Sequence, residues 1–298
     1  MAERNRTRLD WEDVRFFVAL ARRGSLSGAA RNLGVNHATV ARRIASLEAA
    51  AGGACFDRRP GGYELTDRGK RMLDAASSME EAAGRLSAAA GDAEQPAALS
   101  GIVRVSATPS IAEAFIIPQL GRLQGAHPGL DIELVADRRL VSLTRHEADL
   151  ALRLGRPADS TLVGRKVASL GFGLYAAPEL AAAHARRPEL APFISFDDSG
   201  SALPEAVWLR EAVPEARVAF RANGQMAQAA AARAGLGIAP LPHFLAGEDP
   251  GLVRVPFPSA PPRRELWLLS RPNSDRVERV RVVKVWLIDL LEASRRRF

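Results

Sequence analysis

The prolines of this 298-residue chain are unevenly spread, and that distribution constrains the fold more than any other feature. Only Pro60 precedes Pro96, whereas eighteen prolines lie from Pro96 onward. Proline removes a backbone donor and clashes inside helices, so a first third almost free of it is expected to be mostly helical. The stretch Gly91-Asp92-Ala93-Glu94-Gln95-Pro96-Ala97-Ala98 combines small, polar and helix-breaking residues and reads as a hinge. Beyond it, short apolar runs alternate with helical patterns, as in an α/β unit. The length itself calls for two or three domains.

Within the first third, Val14, Phe17, Val18 and Ala21 give an amphipathic helix over about Trp11 to Arg22. A second helix, Ser27 to Leu33, follows Gly24-Ser25 and stops at Gly34, the usual place for a helix-ending glycine. Asn36 is placed to cap a third helix running to about Ala50. Two helices joined by Gly34-Val35-Asn36 have the spacing of a helix-turn-helix. On the third helix, Val40, Ile44 and Leu47 share one face and should pack inward. Thr39, Arg42, Arg43 and Ser46 share another, with two arginines, two hydroxyls and no acid. Such a face suits the major groove of duplex DNA, whereas a merely solvated face usually mixes charge signs.

The stretch from Cys55 to Thr66 has Gly61-Gly62 at its centre and reads as a hairpin wing with basic flanks. From Arg22 to Arg71 there are ten basic side chains against four acidic ones, which is most of the chain's net charge of +7. That local excess is the footprint of a polyanion binder. Arginine predominates throughout, with only three lysines, and GC-rich coding bias explains most of that excess, so position says more than the total. After Asp67 the pattern returns to helix. Leu65, Met72, Met79 and Leu86 are seven apart, as are Ala76, Ala83 and Ala90. These two series fit either a coiled-coil dimer seam or a helix packed on its own domain.

Together these residues resemble the LysR-type family of transcriptional regulators along nearly the whole chain. The resemblance is carried by Phe16-Phe17, Gly24-Ser25-Leu26-Ser27-Gly28-Ala29-Ala30, Leu33-Gly34-Val35 and Val40 with Arg43-Ile44. It continues in Leu47-Glu48, Phe56-Asp57-Arg58 and Leu65-Thr66-Asp67-Arg68-Gly69. It implies an α/β multidomain chain: a winged helix-turn-helix (1–66), a linker dimerisation helix (67–91), a hinge (92–101) and a two-lobed effector-binding domain (102–298). The latter would resemble a periplasmic binding protein, with one lobe at about 102–168 and 267–298 and the other at about 169–266. The candidate DNA-contacting residues are Ser25, Asn36, His37, Ala38, Thr39, Arg42 and Arg43, with Arg58 and Arg59 on the wing. The family often has Ser-Gln-Pro or Ser-Gln-Ser where this chain has Asn36-His37-Ala38, so its operator does not follow from relatives. His37 is either a base reader or a partly buried cap residue.

In the larger part, Ile102–Ala107, Leu130–Ala136, Ala148–Leu154 and Glu265–Ser270 read as strands, and Ser274–Ala293 as a closing helix. The other lobe would hold strands at Gly173–Tyr175, Phe193–Asp197 and Phe220–Asn223, followed by a helix from Gly224 and the turn Gly235–Pro242. Thr108-Pro109-Ser110 and Ala222-Asn223-Gly224-Gln225 each form a strand-to-helix turn whose free N–H groups suit an anion. By resemblance, Thr108, Ser110, Arg138, Arg139, Phe196, Asn223 and Gly224 line an effector pocket. Thr108 and Asn223 also read as plain helix caps, and Arg138 and Arg139 as solvated surface.

No catalytic arrangement is visible, because Gly24 to Gly28 places Leu26 where a nucleophile would stand and no phosphate-cradling loop occurs. The five histidines are scattered and Cys55 is the only cysteine, so neither a metal site nor a cofactor is expected. One cysteine, no signal-like N-terminus and no apolar run of eighteen residues point to the cytoplasm. The expected function is ligand-responsive, sequence-specific regulation of transcription. The partners would be promoter duplex DNA carrying an interrupted inverted repeat and a small effector, for which the helix N-termini and arginines favour an anion. A homodimer is expected, and the resemblance extends this to a tetramer. A nonspecific DNA-compacting protein would not need two α/β lobes, and an enzyme with an accessory DNA-binding domain would need a catalytic constellation.

Overall fold

The computed structural model describes residues 9–60, 62–73, 75, 76, 79, 99–137, 148–157, 161–272 and 274–298. The N-terminal unit is built from α1 (Trp11–Arg23), α2 (Leu26–Leu33) and α3 (His37–Ala51), followed by the hairpin β1 (Phe56–Arg59) and β2 (Gly62–Leu65). Each helix is bounded by the chemistry of its ends. Asp10, Ser25 and Asn36 accept from first-turn N–H groups, while Gly24, Gly34 and Gly52 take the left-handed conformation at the C-termini. The three helices bury Phe17, Leu20, Ala29, Val40 and Leu47 among themselves. Phe56 of the hairpin reaches this core, its ring 5.3 Å from that of Phe17.

Helix α4, starting at residue 67, packs Leu73 and Ala76 into this same core, and Met72 lies against the Cys55 thiol. Of the two heptad series, the near end therefore packs on its own domain, while Met79 is exposed. Leu86, Ala83 and Ala90 lie outside the described residues. The Cys55 thiol, fully enclosed, is pushed above its ordinary pKa by burial and by the Glu48 carboxylate.

The larger part has two sheets. The first has order β4 (Gly129–Ala136), β3 (Ser100–Ala107), β5 (Leu150–Leu154), β12 (Arg264–Ser270) and β6 (Val163–Leu170). Strands β4, β3 and β5 are parallel, and β12 runs antiparallel to both of its neighbours. Helix α11 (Glu278–Ala293) closes one face with Val280, Val283, Leu287 and Leu291. On the other side of the first turn, a continuous helical run begins with α5 (Pro109–Ile111), widens over Ala112–Ile116, tightens over Ile117–Gln119 and ends as α6 (Leu120–Ala126). Pro118 sits in the tightened turn, where its missing N–H interrupts the helical ladder. The run is thus irregular, yet it continues unbroken to Ala126.

The second sheet is centred on β7 (Phe172–Ala176), flanked by β10 (Ala239–Pro242) and β11 (Val253–Val255), both antiparallel to it. Strands β8 (Phe193–Phe196) and β9 (Val218–Ala222) pair in parallel and join it through a bridge from Phe193 to Ile238. Helices α7 (Pro178–Ala183), α8 (Pro204–Ala212), α9 (Gln225–Arg233) and α10 (His243–Ala246) complete this lobe. Strands β6, β11 and helices α7, α8 and α10 had no clear sequence signal. The chain crosses between lobes twice: through Gly171, which alone separates β6 from β7, and through 256–263, which lead into β12. Among the described residues, no helix is long and apolar enough to cross a membrane.

The hairpin is tied to the helices at both strands: the Phe56 N–H donates to Glu48 Oε1 of α3 at 3.1 Å, and the Tyr63 N–H donates to the Gly24 carbonyl at 2.8 Å. Gly62, at φ +133°, lies so close that a Cβ would overlap the Gly24 oxygen. Gly62→Ala should therefore destabilise the chain by about 1–3 kcal/mol. Gly121→Ala, in open space within α6, should be neutral or stabilising by about 0.5–1 kcal/mol. Thermal unfolding of the two full-length variants checks the pair.

Candidate nucleic-acid interface and inter-lobe cleft

At the N-terminus of α3, the Asn36 side-chain oxygen accepts from the Thr39 N–H at 2.7 Å, so its carbonyl is committed to the cap. Ser25 does the same for α2, accepting from Gly28 at 3.2 Å. His37, Ala38, Ala41, Arg42, Ala45 and Ser46 are exposed, and Thr39 is half-buried. His37 is therefore a surface residue rather than a buried cap. Three alanines leave the middle of this face flat, which lets a helix approach closely to a groove wall.

Arg43 behaves differently from expectation. Its guanidinium donates to Asp13 of α1 at 3.0 Å, lies 3.8 Å from Asp10, and sits 5.8 Å from the Phe16 ring centroid. Asp13 is buried, so the pair is structural and Arg43 leaves the outward face. The helical wheel contains the reason. At about 100° per residue, Arg43 lies only about 60° from the buried Val40, as close as His37 on the opposite side. A long side chain at that border follows the nearest buried charge. Arg58 and Arg59 stay exposed on β1, with Glu64 across the hairpin 3.8 Å from Arg59.

In the larger part, a chain of buried polar contacts joins the lobes. Ser110, in the first turn of α5, donates to Gln225 Oε1 at 3.0 Å. Gln225 opens α9, and its amide donates to Glu205 Oε1 at 3.2 Å. Glu205 lies in the first turn of α8 and is fully buried. The same oxygen accepts from Arg264 at 3.3 Å, and Arg264 also donates to the Leu154 carbonyl at 3.4 Å. Arg264 begins β12, so the network reaches from both lobes to a crossover strand. Thr108 makes no side-chain cap bond, and its buried hydroxyl has no partner among the described residues. The cap before α9 is Gly224, not Asn223, which is exposed. Phe196 is buried against Gly200. Arg138 and Arg139 lie outside the described residues.

Of the expected pocket residues, only Ser110 is drawn directly into this network, flanked by Thr108 and Gly224. Glu205 and Arg264 were missed, and Gln225 was named only as the last residue of the Ala222–Gln225 turn. A glutamate after the proline of a helix start looks like an exposed complement to the helix dipole, and nothing local signals its burial.

Comparison with known proteins places both parts. Residues 11–70 match the model of the bacterial regulatory helix-turn-helix protein, lysR family, and residues 96–292 match that of the LysR substrate binding domain. The chain is a LysR-type transcriptional regulator. It is 30% identical over 282 residues to the Mau operon transcriptional activator of Paracoccus denitrificans, covering 95% of this chain and 96% of that protein. Two solved structures share the fold. Full-length OxyR of Pseudomonas aeruginosa aligns with a TM-score of 0.61 at 18% identity, covering 95% of this chain and 94% of that one. CrgA, a LysR-type transcriptional regulator from Neisseria meningitidis, aligns at 0.56 and 22%, covering 96% and 99%.

In this LysR-type regulator, Arg43→Ala should destabilise by about 1–3 kcal/mol by leaving the Asp13 carboxylate unpaired. Asp13→Asn in the same chain should recover much of that loss. Urea unfolding of the two variants, compared with the parent, checks it.

Proposed function

We propose that this regulator reads an interrupted inverted repeat through the exposed face of α3, with Arg42 as its principal base contact and the β1–β2 wing gripping the flanking backbone. The observation that carries this reading is the composition of that face: Arg42, hydroxyls and small residues without an acid, set beside the exposed Arg58 and Arg59. Arginine donates bidentately to guanine in the major groove, whereas the wing arginines meet phosphates and give a salt-dependent affinity. Asn36, His37, Ala38 and Thr39 sit at the entering end of the helix, where recognition helices meet base edges. Ser25 contributes through its cap bond, by fixing α2 behind α3. The protein works as a homodimer, so that two such helices reach successive grooves, and two dimers on one promoter form a tetramer.

Control comes from a small molecule held between the lobes, near Thr108, Ser110, Phe196, Asn223 and Gly224. Polar groups from both lobes converge there, and a ligand preferring one lobe setting shifts the equilibrium of the whole chain. The action is regulatory and involves no chemical conversion of the ligand. A soluble, cytoplasmic protein fits this reading.

Duplexes selected from random DNA by the full chain should converge on an interrupted inverted repeat. Arg42→Ala should weaken binding to the selected site by about 1–3 kcal/mol and relax its base preference, whereas Arg58→Ala should lower the salt slope by about one without changing preference. Equal loss on all sequences from Arg42→Ala would overturn the base-reading assignment.

A further inference from the structure

We infer that Glu205 sets the chemical class of the effector: the inter-lobe cleft takes a ligand that donates hydrogen bonds, through an ammonium or hydroxyl group, and disfavours a carboxylate. This rests on the cleft reading given above. Glu205 Oε1 holds two donors, the Gln225 amide at 3.2 Å and the Arg264 guanidinium at 3.3 Å. Its other oxygen, Oε2, is buried with no partner among the described residues, on a residue with 0% exposure. Two more buried polar atoms without partners among the described residues belong to residues two or three positions from the network in sequence. One is the Thr108 hydroxyl, two residues before Ser110 in the opposite lobe. The other is Gln228 Oε1, one helical turn after Gln225, whose amide is occupied by the Ala222 carbonyl at 3.3 Å. Glu205 Oε2 and Gln228 Oε1 can only accept, the Thr108 hydroxyl can accept as well as donate, and a desolvated acceptor left unmade is costly, most of all on a carboxylate.

The competing expectation is an anion at the N-terminus of α9. Glu205 decides against it. Its carboxylate already lies beside the first residue of α9, where it complements the positive end of that helix. Arg264, the nearby cation, is engaged by that same carboxylate and by the Leu154 carbonyl. An incoming carboxylate would meet Oε2 as a like charge in a water-poor seam, whereas a donor completes the set.

The substitution Glu205→Gln separates the alternatives without removing side-chain volume. The amide carbonyl stays with the two donors that Oε1 holds, so the amide nitrogen takes the place of Oε2 and turns an acceptor into a donor. Three probes of equal size are titrated against the full chain by saturation-transfer NMR: propylammonium chloride, propan-1-ol and sodium propionate. The parent should bind propylammonium or propan-1-ol at least tenfold more tightly than propionate, and the tighter of the two identifies the donor as charged or neutral. Glu205→Gln should weaken both donors at least tenfold and improve propionate. Thermal unfolding verifies that this variant is folded, and Gln225→Ala serves as a second cleft variant should it not be. Propionate as the preferred probe of the parent, or an order of preference unchanged by Glu205→Gln in a folded protein, overturns the inference. If that propionate binding is weakened by Gln225→Ala, the cleft reading stands and only the ligand class is wrong. If no probe binds, or if binding is indifferent to both Gln225→Ala and Glu205→Gln, the cleft reading falls with it.

Discussion

The arrangement of the two lobes depends on one enclosed carboxylate. Glu205 is removed from water at the base of α8, and a charge in that position persists only where donors surround it. Two of those donors come from different parts of the chain: Gln225 from the start of α9, and Arg264 from the strand that carries the backbone back to the first sheet. Ser110 then extends the contact across the cleft. The result is a polar seam in which the setting of each lobe is felt at a crossover strand. An apolar seam of equal area would have allowed sliding; directional hydrogen bonds allow few settings.

Much of the fold was legible before any coordinates. The caps Asn36 and the terminal glycines Gly24 and Gly34 announce helix boundaries through local chemistry, and the structure follows them within a residue or two. Val40, Ile44 and Leu47 declare the buried side of α3 through spacing alone. Strands with short apolar runs, such as Ile102-Val103 in β3 and Leu150-Ala151-Leu152 in β5, were equally plain. The short β11 and the largely exposed first half of β6 were not, because pairing across the sheet rather than sequence pattern makes them strands.

The placement of the candidate residues was legible where one element decides it and hidden where two elements do. Arg42 was assigned from its own helix and remains on the exposed face. Arg43 was assigned in the same way, but Asp13, thirty residues earlier, takes it away. Thr108 has the sequence of a cap and makes no cap bond. Glu205 and Gln225 are unremarkable locally, and they become a network only when α8, α9 and β12 converge. Long-range neighbours of opposite polarity leave no periodic trace, which is why polar networks escape pattern reading when apolar cores do not.

The bond between Tyr63 and the Gly24 carbonyl, with Gly62 pressed against the same oxygen, joins the wing to the turn between α1 and α2. That contact sets the wing against the helices, and with it the gap between the α3 face and the wing arginines, like the opening of a caliper. A caliper fits some widths of duplex better than others, and groove width varies with the stiffness of base steps that no side chain touches. On the DNA reading proposed for α3 and the wing, discrimination among binding sites would therefore have two sources in this domain, the base edges beneath Arg42 and the shape of the DNA spanned between helix and hairpin.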